Sequence, residues 1–160
     1  MRKLLMVIPL LLISCGVYSF KGSSLPSHLK TIEVPLFENG ALIQGVAEDV
    51  TDGVSLAMQR ERLKIVPREG DASIKGTIIS YQNRAYDYGG NRDKIDIASY
   101  AVTITAKIEF HDNELNKDIY KGLLKGEGVY DFNTEDEDIG RRRAVKALVE
   151  KIMINSLQGW

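Results

Sequence analysis

From Ala98 to Phe110 the chain alternates side-chain character residue by residue. Ala98, Tyr100, Val102, Ile104, Ala106, Ile108 and Phe110 fall on one side, and Ser99, Ala101, Thr103, Thr105, Lys107 and Glu109 on the other. A period of two sustained over this length dictates an extended strand in a sheet with one buried and one largely wetted face. Such a face has to be covered by something else in the same chain. The rest of the sequence is therefore read for strands that pair with this one and for helices that cover it.

A first strand is expected over Lys30–Phe37, where Ile32, Val34 and Leu36 alternate with Thr31, Glu33 and Pro35. Pro35 has no N–H to give to a ladder, which puts it at a sheet edge or a strand end. After Asn39-Gly40, the residues Ile43, Val46, Ala47, Val50, Val54, Ala57 and Met58 form a helical stripe that ends near Arg62. A short strand, Leu63–Pro67, and a turn at Arg68–Asp71 follow. Residues 73–87 and 119–132 read as two further strands, and Gly89-Gly90 marks a hairpin tip before the alternating segment. Gly122, Gly126 and Gly128 in the last strand mark bulges or close packing. Thr134 and Glu137 have the spacing of a capping box ahead of a helix with Val145, Leu148, Val149, Ile152 and Met153 on its stripe, running to about Leu157. The class is α+β: a two-layer sandwich, with two helices on one face of a mostly antiparallel sheet of four to five strands.

The N-terminus carries a different kind of information. Arg2 and Lys3 precede an apolar run from Leu4 to Ile13, too short to span a bilayer as a helix. Charged start, short apolar run and small residue together have the layout of a secretory signal. The ending Leu12-Ile13-Ser14-Cys15 resembles a bacterial lipobox, which implies cleavage before Cys15 and attachment of diacylglycerol to its sulfur. An ordinary secretory signal with an incidental thiol is the alternative. The expected organisation is a lipoprotein signal at 1–14, a Gly/Ser/Pro-rich flexible tether at 15–29 and one domain at 30–160. Cys15 is the sole cysteine, so the fold has no intramolecular disulfide.

The leader holds two of the 21 basic side chains and none of the 22 acidic ones, so the remainder has a formal balance of −3. That balance excludes a general nucleic-acid binder. Two histidines and one cysteine do not make a zinc site. Ser27-His28 falls in the expected tether, where catalytic geometry is hard to hold, and His111-Asp112 falls in a turn, where the acid serves local backbone. The acids from Glu135 to Asp138 suit a first helical turn, with Arg141, Arg142 and Arg143 within pairing reach. No catalytic residue, metal site or cofactor emerges, and the chain is not read as an enzyme. The remaining candidates are Arg84, Arg92 and Lys94, which flank Tyr86 and Tyr88 around the hairpin. Cations beside aromatic rings suit a phosphate-bearing amphiphile. A solvated hairpin, its charge balanced by Asp87, Asp93 and Asp96, is the plainer reading of the same residues.

From Cys15 to Asn39 the chain reads Cys-Gly-Val-Tyr-Ser-Phe, then Leu25-Pro26, then Thr31-Ile-Glu-Val-Pro-Leu-Phe-Glu-Asn39. This stretch resembles the mature N-terminus of the LPS-assembly lipoprotein family LptE, with Val17 as an extra residue before Tyr18. The resemblance implies a non-enzymatic α/β domain held at the outer membrane by the lipid on Cys15. It implies a place inside the lumen of an LptD-type β-barrel, where family members help the barrel assemble and deliver lipopolysaccharide. It also implies lipopolysaccharide binding by basic residues at one end of the sheet, for which Arg84, Arg92 and Lys94 are the nearest candidates here. The first strand is also similar to those of curli-secretion and TolB N-terminal families, so a lipoprotein scaffold of another envelope system is the alternative.

Overall fold

The computed structural model describes residues 25–86 and 99–157. Along the chain run β1 (Thr31–Glu33), β2 (Glu38–Asn39), α1 (Val46–Arg60), β3 (Lys64–Val66), β4 (Ala72–Ala85), β5 (Ser99–Asp112), β6 (Lys117–Asp131) and α2 (Glu137–Leu157). They form one sheet in the order β3-β1-β4-β5-β6, with β2 paired to β4 beside β1. The three long strands make an antiparallel meander, and the short N-terminal pairings are parallel. Two helices cover one face. The expected α+β sandwich is the fold observed.

The alternating segment behaves as its pattern dictates. Val102, Ile104, Ala106, Ile108 and Phe110 are fully buried, each of the larger ones contributing about 1.5–3 kcal/mol. Thr103, Thr105 and Glu109 are half-buried and Lys107 is exposed on the open face. On the open face Glu109 is shared by Lys107 and Lys121 at 2.8 and 3.1 Å. These two lysines hold the Glu109 carboxyl below its ordinary value, and Glu109 raises Lys107.

Pro35 divides the first strand. Pairing with β4 stops at Glu33 and resumes at Glu38 with the register shifted by one residue. Between them the Phe37 N–H turns away from the sheet to Thr51 Oγ1 of α1 at 3.0 Å, and the Phe37 side chain is buried. The first helix starts at Val46 rather than directly after Gly40. Gly45 supplies the left-handed turn (φ 80°) that leads into it, a conformation glycine adopts without strain.

The second helix starts later than its capping box predicts. Asp131 accepts the N–H groups of Thr134 and Glu135, so these residues close a turn and do not enter the helix. Asp136 Oδ1 then accepts the Ile139 N–H at 3.1 Å and serves as the cap, while Glu137 faces the sheet instead. Of the three glycines in β6, Gly126 and Gly128 serve close packing. A Cβ on either would collide with the α2 backbone at Ala144 or Gly140. The helix thus lies against β6 more closely than any side chain would permit.

Candidate functional site

The expected signal at 1–14, Cys15, the hairpin tip and the candidates Arg92 and Lys94 lie outside the described residues. The last five residues of the expected tether do not. Leu25 packs against the core, the Leu29 N–H donates to Pro26 O at 3.0 Å, and Leu29 is buried. This turn brings His28 Nε2 within 2.6 Å of Asp112 Oδ2, at the far end of β5. Burial works against the Asp112 carboxylate. The Leu115 N–H and the His28 side chain outweigh it and hold the carboxyl below its ordinary value. His28 and Asp112 are therefore a structural pair at the sheet end where the chain joins the domain, and Ser27 beside them is exposed.

The same end is stitched further. Asp71 Oδ2 accepts the N–H groups of Lys30 and Thr31, both at 2.8 Å, which lowers its pKa. Asn113 donates its backbone N–H to Asp71 O and its side-chain amide to Gly70 O. His111 Nδ1 lies 2.7 Å from Asp118 Oδ1, across the β5–β6 turn. His28, His111 and Asp112, singled out as chemically suggestive at this end, are each accounted for by a structural contact.

The opposite end, toward the hairpin, is built otherwise. Arg84 is exposed near the end of β4, in register with Ala101 on the open face. Ala85 and Tyr100 pair on the other face, where the Tyr100 ring lies 6.0 Å from that of Tyr130 and 5.2 Å from that of Phe132. Tyr130 is buried and accepts from Asn83 Nδ2 at 2.9 Å, whereas Phe132 is 61% exposed. The strand end therefore carries a cation on one face and an aromatic cluster on the other. Parity along β5 and β6 puts each ring on its face, but the cluster becomes visible only when the strands are set in register.

Acids of the turn before α2 and of its first turn stand beside this end, each with a partner. Glu137 accepts from Tyr81 OH at 2.6 Å and from Asn83 Nδ2 at 2.9 Å; burial, then this bond and the charge behind it, push the Tyr81 phenol up. Glu135 is held in a two-pronged pair by Arg143, both contacts at 2.7 Å, and by the Asp131 N–H. Those contacts keep the Glu135 carboxyl low. Arg141 pairs with Asp138 at 3.2 Å. Arg141 and Arg143 of the arginine run thus do pair with the acids, though by turn and i,i+3 geometry. No group of three or more His, Cys, Asp or Glu suited to a metal occurs among the described residues, and no helix among them is long and apolar enough to cross a membrane.

The chain matches the family model described as "LptE: Lipopolysaccharide-assembly" over residues 29–156. Among curated proteins none matches it by sequence. Solved structures share its fold. One is the hypothetical protein CT253 from Chlamydia trachomatis, 7% identical, covering 81% of this chain and 97% of that one with a TM-score of 0.56. Another is the PelC dodecamer from Paraburkholderia phytofirmans, 9% identical, with coverage of 85% and 92% and a TM-score of 0.54. A third is the uncharacterized lipoprotein B from Nitrosomonas europaea, 13% identical, with coverage of 83% and 84% and a TM-score of 0.52. At these identities the likeness is one of fold alone.

Proposed function

The chain belongs to the LptE lipopolysaccharide-assembly family, and on that premise we propose that it is the lipoprotein subunit of a lipopolysaccharide translocon, anchored through Cys15 to the outer membrane and seated in an LptD-type barrel. The family match across residues 29–156 carries this reading. The role needs no catalysis and no cofactor beyond the covalent lipid. A barrel lumen is polar, and a domain that fills it has to present polar surface. The open sheet face, with Thr103, Thr105, Lys107 and Glu109, has that character. A dual-acylated cysteine holds a protein at a membrane stably, where one chain gives only marginal binding.

For the ligand, the hairpin end is the region of choice. Arg84, with Arg92 and Lys94 from the hairpin, offers cations for phosphates. The exposed Phe132 beside Tyr100 offers apolar area for acyl chains. Co-purification from envelope membranes tests the partnership: a large β-barrel should accompany the chain, and depleting the chain should leave that barrel misassembled. A ring of this chain without a barrel would replace the reading with an envelope scaffold. Cys15→Ala should leave the chain unlipidated by mass. Charge reversal of Arg84, Arg92 and Lys94 to Glu should weaken lipopolysaccharide binding with the urea midpoint unchanged; equal affinity in both proteins removes the hairpin from the site.

A further inference from the structure

The last strand of the sheet, β6, has a neighbour on one side only. Its outer edge is guarded along half its length. The Asp131 N–H donates to Glu135 Oε2 at 3.1 Å and so points away from β5. The register is continuous from Asp131 back to Tyr120. Alternation along an antiparallel ladder then turns the backbone N–H and C=O groups of Val129, Glu127, Lys125, Leu123 and Lys121 to the same outer side.

Helix α2 guards the first part of this row. Arg143 donates to Val129 O and Lys151 to Lys125 O, both at 2.7 Å. Beyond Lys125 the guarding stops, and among the described residues no side chain or backbone hydrogen-bonds to the outward groups of Leu123 or Lys121. The opposite sheet edge, β3, is protected by being three residues long and followed by Pro67. Among the described residues β6 has an unguarded stretch with Leu123, 62% exposed, upon it; the other unpaired length is β4 beyond Ile78, where Arg84 and the hairpin end lie.

Charge selects among possible occupants. Lys121 and Lys125 flank Leu123 on the open face, where Glu109, shared by Lys107 and Lys121, offsets only one of the lysine charges, and Lys151 reaches over the edge from α2. Edge lysines repel neutral aggregation and basic strands, and they favour an acidic one. A second copy paired within the unguarded stretch would centre on Lys121 and set that lysine against itself. We propose that the edge from Ile119 to Leu123 accepts, by strand addition, an extended segment of a partner protein with carboxylates at alternate positions. Main-chain hydrogen bonds supply the pairing, and Lys121 and Lys125 read the acidic side chains. This site is separate from the hairpin end and does not depend on lipopolysaccharide binding.

The test uses the full chain in detergent and a synthetic heptapeptide of alternating Val and Glu, with a Val/Lys peptide as comparison. The acidic peptide should slow amide hydrogen exchange at Lys121 and Leu123 by roughly tenfold, and the basic peptide should not. Leu123→Pro removes one outward N–H without touching the β5 ladder and should abolish protection at Lys121. Because proline can disturb the strand, the double variant Lys121→Glu with Lys125→Glu gives a second reading, since it retains every backbone donor. It should reverse the preference toward the basic peptide. Equal protection by both peptides, protection confined to other strands, absence of protection at millimolar peptide, or concentration-dependent protection without peptide would each overturn the site.

Discussion

The two ends of the sheet use opposite means. Where the chain joins the domain, polar groups from distant segments satisfy one another: His28 with Asp112, 84 residues apart, and Asp71 with the backbone of Lys30 and Thr31. Toward the hairpin the strands end in aromatic rings and an exposed arginine, with Phe132 largely in solvent. The first end is pinned, and its side chains face inward to partners. The second leaves apolar and cationic surface on view. This division suits the proposed attachment through the N-terminal segment and the proposed ligand site at the far end.

If the division is right, substitutions at the pinned end act on stability and those at the hairpin end act on binding. Asp112→Ala should have the largest effect. It strands the half-buried Leu115 N–H and the His28 side chain and should cost about 2 kcal/mol, read as a lowered urea midpoint. The loss should also depend on pH. The folded chain holds Asp112 below its ordinary value of 3.8, so the carboxylate's contribution is complete above that value and is lost as pH falls through the lower, folded one. The gap between wild type and Asp112→Asn should therefore narrow in acid. A gap that stayed constant down to complete protonation would assign the effect to packing instead.

Tyr130→Phe should come next. It removes the acceptor of Asn83 Nδ2 at the inner part of the hairpin end and should cost about 1 kcal/mol by thermal or chemical denaturation. Phe132→Ala should do least to stability, within about 0.5 kcal/mol, because the ring is mostly exposed. The same change should weaken lipopolysaccharide binding in a vesicle or micelle titration. A Phe132 variant that unfolds the domain while binding normally would invert the contrast between the two ends.

Much of the fold can be read within short windows of the chain. The β5 alternation and both helical stripes are local patterns, and the structure buries most of the residues they select, among them Val102, Ile104, Ile108 and Phe110, Val46, Val50, Val54 and Met58, and Leu148 and Ile152. The start of α2 was less legible. Thr134 and Asp136 are both good caps, and the choice rests on how Asp131 closes the preceding turn. The role of His28 was not legible at all, since its partner lies at the far end of another strand. Of the candidate ligand residues, Arg84 lies within the described residues, on the face opposite the aromatic cluster. Cys15, Arg92 and Lys94 lie outside them.

By itself the sequence determined the three long strands, the two helices and the faces that need cover, though not where each element begins, because periodicity is written within a few turns or a few residues of strand. It also carried the family signature, legible in the first strand and matched across the domain. Tertiary structure alone decided that β1 slots between β3 and β4, that His28 meets Asp112, and that α2 guards β6 from Lys125 onward and not before. Each of those outcomes joins residues far apart in the chain. Their energies depend on register and approach, such as the contact that Gly126 and Gly128 permit between strand and helix, and no local window contains both partners.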